Sequence, residues 1–370
     1  MRIGVVSPLV ESVPPTLYGG TERVVSNLTE ELVRRGHEVT LFASGDSLTS
    51  ANLVPCAPRA LRLDPEAPDF VTATVFELGE VYKRANEFDI IHSHADWFGF
   101  AFAECVTTPT VTTAHGRLDI PEIAYRYRRS ARQPLVSISH DQMTFLADVN
   151  WVGTVHNGID TSRFCPRRVP GDYLVFLGRI SPEKGPDRAV EVAERAGMRL
   201  VVAAKVDPAD RDYYESVVAP LFRRSRRVEF IGEVDEAGKD ELLGGAYAYL
   251  FPIDWPEPFG LTMIEAMATG TPVIAMARGS VPEVVAHGET GFVCNSLDEM
   301  VAAVERVSDI DRLACRRRVE QLFSAARMAD GYEEIYSRIL GRKLSHLHSV
   351  ASYANGGTSD AGLPASASGR

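Results

Sequence analysis

The residues with the most chemical promise lie in the stretch 254–283, DWPEPFGLTMIEAMATGTPVIAMARGSVPE. It carries two carboxylates, Glu257 and Glu265, with Pro258-Phe259-Gly260-Leu261 after the first of them. Beyond Gly260 the apolar residues Leu261, Ile264 and Met267-Ala268 take a helical period, which Gly270 ends before a buried strand over 271–275. Phe259, Gly260 and Leu261 therefore fall at a helix N-terminus, where backbone N–H groups lack partners and the dipole favours anions. Gly260 has no side chain, so a bulky anion can approach the backbone. Glu257 just outside the helix and Glu265 inside it would cradle a molecule with hydroxyls at both ends and phosphates between. A glycosidase would instead need the two carboxyls about 5–9.5 Å apart around a scissile bond, and chain spacing leaves that open.

A second constellation points the same way. Arg179 and Lys184 stand in the loop GRISPEKG at residues 178–185, at the end of an expected strand. A guanidinium fork and an ammonium point charge so placed can converge on one diphosphate, although such a pair is also common on surface loops. A hydrolase has no use for them. Gly19-Gly20 before the helix opened by Thr21 offers amides to a phosphate or sugar, or is simply a tight turn. It is neither a G-x-G-x-x-G fingerprint nor a P-loop. The arginine-rich runs at 126–132, 223–227 and 316–318 read as solvated helix surfaces. His92, His94 and His115 do not share one element at metal spacing, so no zinc site is expected.

The elements that must position these groups alternate strand and helix throughout. In the first half, strands are expected at 2–7, 37–43, 89–93, 110–114, 135–138 and 152–156. Helices follow Thr21 as N-cap, span 70–86, start at Asp96 and follow Ser139. In such sheets ligands bind at strand carboxyl ends, where His94, His115, Asn157 and the loop after Ser7 all fall. The second half repeats the plan, with strands at 173–177, 200–204, 228–231 and 247–251. Helices are expected at 188–196, 211–222, 236–243, 297–307, 312–323 and 328–340. Domain bounds of 1–160 and 173–324 follow, with a linker at 161–172, a last helix at 325–342 and a tail at 343–370. The tail is rich in Ser, Gly and Ala, so disorder is expected there.

Composition sets the class. A chain of 370 residues, 45% hydrophobic and 24% charged, suits two globular domains. A net charge of −11 argues against nucleic-acid binding. The five cysteines are scattered, so reduced, buried thiols in a cytoplasmic protein are expected. The first apolar run is short and broken by Ser7-Pro8, and no run of about 18 apolar residues occurs, so neither signal peptide nor membrane span is expected. Peripheral membrane contact is not indicated.

Taken together, the motifs resemble the family 4 glycosyltransferases, a retaining group with the GT-B fold. The resemblance rests on Tyr18-Gly19-Gly20-Thr21-Glu22, His115-Gly116, His156-Asn157-Gly158-Ile159-Asp160 and Gly178-Arg179 through Lys184-Gly185. It continues through Glu257-Pro258-Phe259-Gly260-Leu261, Glu265-Ala266-Met267, Gly270-Thr271-Pro272-Val273, Pro282-Glu283-Val284-Val285, Gly288 and Gly291-Phe292. It implies an α/β protein of two Rossmann-like parallel-sheet domains facing across a cleft, the last helix crossing back to the first domain. It also implies a nucleotide-diphosphate sugar donor and an acceptor of unknown kind, small molecule, glycan or lipid-linked. A UDP-sugar is expected over a GDP-sugar, UDP-glucose foremost by frequency in the family, and no metal or cofactor is required. By matching positions, Arg179 and Lys184 hold the diphosphate, Glu265 the ribose and Glu257 the transferred sugar. The amides of Phe259, Gly260 and Leu261 orient sugar and phosphate, Gly19-Gly20 closes from the other domain, and His115 lies beside the sugar. A silent nucleotide-sugar-binding protein and a sugar-nucleotide epimerase are the alternatives.

Overall fold

The computed structural model describes residues 1–17 and 19–341. Tyr18 and the tail lie outside the described residues, and so does the expectation of disorder. The first seven strands are β1 (Arg2–Val6), β2 (Glu38–Ser44), β3 (Asn52–Ala57), β4 (Ile90–Ser93), β5 (Thr110–Thr113), β6 (Leu135–Ser137) and β7 (Trp151–Thr154). They form one parallel sheet in the order β3-β2-β1-β4-β5-β6-β7. The next six are β8 (Tyr173–Arg179), β9 (Arg199–Lys205), β10 (Val228–Gly232), β11 (Ala248–Phe251), β12 (Val273–Met276) and β13 (Gly291–Cys294). They form a second parallel sheet in the order β10-β9-β8-β11-β12-β13. Helices cover both faces, so central strands are buried on both sides; Ile3, Val5 and Val6 of β1 and Ala248, Tyr249 and Leu250 of β11 have no exposure.

Each sheet reverses its winding once, between β1 and β4 and between β8 and β11. Such switch points open a crevice at the strand carboxyl ends. The loop after β1 leads to Gly19-Gly20, and β4 leads to His94. The loop after β8 carries Arg179 to Lys184, and the one after β11 carries Glu257. The topology thus gathers Gly19-Gly20, Arg179, Lys184 and Glu257 with His94 from four separate loops, His115 following β5 and Glu265 lying on helix Leu261–Ala268.

The last helix, Ala325–Ile339, belongs to the first domain's core. It buries Met328, Tyr332, Ile335 and Tyr336 among Ile3, Val25, Leu28 and Val136. Burying each such side chain contributes roughly 1.5–3 kcal/mol, enough to hold the helix across the gap. The chain crosses between domains at two adjacent points. Ile159 N–H donates to Phe323 O at 2.9 Å, and Ala325 N–H donates to Ile159 O at 2.9 Å. Gly158 makes that approach feasible, because a Cβ there would lie 2.3 Å from Ser324 O.

Several local expectations need correction. The first helix runs Gly20–Arg34 with Gly19 as N-cap and no side-chain cap, so Thr21 is inside it. β3 went unforeseen because Pro55 interrupts it, which an edge strand tolerates. The helix expected from Asp96 is a 3₁₀ turn, Asp96–Gly99, followed by Phe100–Ala103. The helix expected over 211–222 widens to a π-turn at Tyr214–Val218 just before Pro220, whose missing N–H breaks the ladder. The cysteines are free, but only Cys294 and Cys315 are buried; Cys105 and Cys165 are exposed.

Candidate active site

The second domain supplies the floor. Helix Leu261–Ala268 begins at Gly260, whose φ of 78° is left-handed and which gives no side-chain cap. Met263 N–H turns back to Gly260 O at 3.0 Å, and the first-turn amides ahead of it are left to an outside anion. Glu257 and Phe259 precede this turn and are 7% and 2% exposed. Their loop is tied down by Ser280, whose N–H donates to Glu257 O at 3.0 Å and whose Oγ donates to Phe259 O at 2.9 Å. Gly279 sits against the same peptide at φ 55°, and a Cβ there would lie 2.3 Å from Glu257 O and 2.4 Å from Glu257 N. We expect Gly279→Ala to lower kcat/KM about 100-fold by displacing Glu257, since a 1 Å error at a reacting centre has that scale. Wild-type kinetics from a folded Gly279→Ala protein would disprove that tight coupling.

Lys184 and Glu257 are brought together as a half-buried ion pair, Nζ to Oε2 at 2.5 Å. The ammonium also lies 4.6 Å from the Trp255 ring centroid and 5.8 Å from that of Phe251. Aromatic faces add attraction for a cation without adding a second counter-charge. From the first domain, Arg117 covers Trp255 at 5.3 Å. Arg179, at the end of β8, is paired with two carboxylates. Its Nη2 meets Glu183 Oε1 at 2.5 Å and its Nε meets Asp210 Oδ2 at 3.1 Å, and its side chain is 34% exposed. Glu183, four residues on in the same loop, accepts its hydrogen bond, and Asp210 adds an ion pair from far along the chain.

Glu265 is 2% exposed and carries a partner that the sequence did not reveal, Lys239, whose Nζ lies 2.5 Å from Oε1. Lys239 comes from helix Glu236–Gly244, too far along the chain for motif reading to join it to Glu265. Each glutamate therefore faces its own lysine. That arrangement suits hydroxyl and phosphate recognition better than a glycosidase pair, in which one carboxyl must be free to protonate the leaving oxygen. A cavity between the domains joins Glu265, Lys239 and Leu261 to Gly19, Gly20 and Arg23 of the first domain. At Gly20 an added Cβ would lie 3.7 Å from Leu261 Cδ1, so the glycine loop sits directly over the helix start. Beside the cavity Glu236 binds Arg23 of the first domain and, at 2.8 Å, Arg163 of the linker.

The first domain forms the facing wall. His115, half-buried at the end of β5, accepts or donates at Nε2 to His94 Nδ1 at 2.8 Å. Burial pushes its pKa down to about 4, so the ring is neutral at physiological pH. A further bridge comes from Glu283, whose carboxylate accepts from the amides of His140 (2.9 Å) and Asp141 (2.8 Å) and meets His156 Nε2 at 2.9 Å. These hydrogen bonds hold the Glu283 carboxyl below its usual range despite burial. His140, His156 and Glu283 offer three ligand atoms within 4.8 Å of one another, but the amides and His156 already occupy the carboxylate.

Comparison with known proteins agrees with this geometry. The sequence pattern described as Glycosyltransferase Family 4 matches residues 18–163, and that described as Glycosyl transferases group 1 matches residues 163–321. Among curated proteins, glycogen synthase of Mycobacterium tuberculosis is 28% identical over 362 residues, covering 82% of this chain and 86% of that one. D-inositol 3-phosphate glycosyltransferase of Mycolicibacterium smegmatis is 26% identical over 377 residues, covering 87% of each. Among solved structures, sucrose-phosphate synthase from Thermosynechococcus elongatus superposes with a TM-score of 0.74 at 21% identity, over 92% of this chain and 99% of that one. Anabaena HepE in complex with UDP and glucose superposes with a TM-score of 0.70 at 17% identity, over 91% of this chain and 100% of that one. At those identities the structural likeness speaks for the fold. The two sequence patterns meet at residue 163, where the chain passes from one sheet to the other, and this protein is a glycosyltransferase of family 4, group 1, with the GT-B fold.

Proposed function

We propose that the cleft binds a nucleotide-diphosphate sugar, a UDP-sugar and foremost UDP-glucose, and transfers the sugar with retention of anomeric configuration. The observation that carries this reading is the Lys184–Glu257 pair beside the uncapped start of helix Leu261–Ala268. Breaking a glycosyl–phosphate bond builds negative charge on the departing diphosphate and positive charge at the anomeric carbon. Lys184, the helix dipole and Arg179 stabilise the first, which is preorganised electrostatic catalysis. Because these groups supply the positive charge, the reaction needs no divalent cation. Glu257 takes hydroxyls of the transferred sugar, and His115 lies beside them. Glu265 and Lys239 line the part of the cavity that takes the ribose, with Gly19-Gly20 closing over the diphosphate. Retention follows from front-face attack, the departing phosphate oxygen receiving the acceptor's proton. HepE, which shares the fold, has been crystallised with UDP-glucose, and that supports the choice of donor. The acceptor enters from the first domain, and the protein works in the cytoplasm; among the described residues no helix is long and apolar enough to cross a membrane.

Thermal unfolding against a panel of nucleotide sugars with EDTA present tests the donor. A ligand at 100 times its Kd stabilises the native state by about 2.7 kcal/mol, a readily measured shift. UDP and UDP-glucose are expected to stabilise and GDP-sugars to do so less. No shift with any nucleotide sugar, or shifts only with added metal, would count against the proposal.

A further inference from the structure

The histidines at the ends of β4 and β5 form an arrangement that donor binding alone does not explain. His94 is 1% exposed. Its backbone N–H is fixed to Val6 O of β1 at 2.9 Å, so the ring has a rigid mount. Its Nδ1 lies 2.8 Å from His115 Nε2, while its Nε2 is buried with no hydrogen-bond partner among the described residues. Two residues on, Asp96 takes a positive φ of 50° and its carboxylate accepts from the Tyr127 hydroxyl at 2.9 Å. The loop after β4 is therefore anchored on both sides of the ring that meets His115. His92 is a separate case, being engaged at both nitrogens by Tyr336 (2.7 Å) and Thr113 (2.8 Å).

The unpartnered nitrogen decides where the protons sit. With a proton on His94 Nε2, a buried N–H would have no acceptor, the rarer and costlier kind of orphan. With the proton on Nδ1, only a bare lone pair is orphaned and Nδ1–H donates to His115 Nε2. The hydrogen bond at one ring nitrogen of a neutral imidazole fixes which nitrogen keeps the proton. His115 then carries its proton on Nδ1, and that N–H is the group left for a ligand. We propose that His94 is a positioning residue which locks His115 as an Nδ1–H hydrogen-bond donor to an oxygen of the transferred sugar. This rests on the reading of His115 as lying beside that sugar. A donor of fixed polarity recognises an oxygen lone pair and so fixes the orientation of the sugar in the cleft.

Nitrogen-15 NMR of the wild-type protein reads the tautomer without any substitution: His115 should be protonated at Nδ1 and bare at Nε2. His94→Leu removes the donor and releases the lock. His94→Asn places an amide N–H where Nδ1 stood and should restore it. We expect His94→Leu to lower kcat about 10- to 100-fold, on the scale of a misplaced group at the reacting centre, with donor KM within about threefold. His94→Asn should retain most of kcat, and His94→Leu combined with His115→Ala should be no slower than His115→Ala alone. An Nε2–H His115 in the wild type, or equal rates for the Leu and Asn variants, would overturn the proposal. Wild-type transfer by His115→Ala would bring down the sugar-facing reading as well. A crippled His115→Ala beside a fully active His94→Leu would bring down the positioning role alone.

Discussion

Lys184→Ala is expected to lower kcat/KM for donor turnover about 10²- to 10³-fold, the scale for deleting one preorganised group that stabilises transition-state charge. Two effects act together. The departing diphosphate loses a cation held 4.6 Å over Trp255, and Glu257 is left as a 7% exposed carboxylate without its counter-ion. An unpaired buried charge is itself costly, so part of the loss would come from a displaced Glu257 rather than from the missing ammonium. A double-mutant cycle separates them. Glu257→Gln removes that stray charge, so any defect that Lys184→Ala still shows on this background belongs to the diphosphate. Initial rates at saturating acceptor give the answer, and unchanged kcat for Lys184→Ala would remove Lys184 from the chemistry.

Replacing Glu77 is expected to give the largest change in stability, and in the favourable direction. Glu77 lies on helix Phe70–Lys83, is 1% exposed, and has neither carboxylate oxygen hydrogen-bonded among the described residues. Burial raises its pKa well above the ordinary value. A carboxyl raised in the native state is protonated there while the unfolded chain is ionised. Its penalty is therefore absent below about pH 4.5 and grows as pH rises to the folded pKa. Over that window the slope is about 1.4 kcal/mol per pH unit. Glu77→Leu removes the group at similar volume, so its advantage over wild type should widen from pH 4.5 upward. Urea unfolding of both proteins across that range tests this; a constant difference would show that Glu77 is solvated in the native state. Cys56 reports the same surroundings, its thiol pushed up to about 12 by burial and then by Glu77.

How much of this was legible in the sequence depends on distance along the chain. Gly260, Leu261 and Glu265 are local, and the helix that unites them could be read from period and glycine placement. Lys184 beside Glu257 required the two crevice loops of one sheet to face each other, which strand–helix alternation implies. Lys239 beside Glu265 and Glu283 beside His156 join groups that no local pattern connects. The Arg179–Glu183 pair is local to its loop, whereas Asp210, which also meets Arg179, lies too far along the chain to be joined to it by motif reading. Thr21 was named as a cap on residue preference, yet Gly19 holds that position because the loop passes so close to Pro15 that a Cβ there would lie 2.7 Å from it.

The two passages of backbone between domains, at Ile159 and at Phe323 to Ala325, are stitched to each other by hydrogen bonds. Paired this way they act as a single pivot rather than two independent tethers. Any parting of the domains would turn about that pivot, and the Glu236–Arg23 pair and the Arg117–Trp255 contact are the bridges that would break. Entry of donor and exit of spent nucleotide would share that swing, and its rate would set an upper bound on turnover however fast the bond-breaking step becomes.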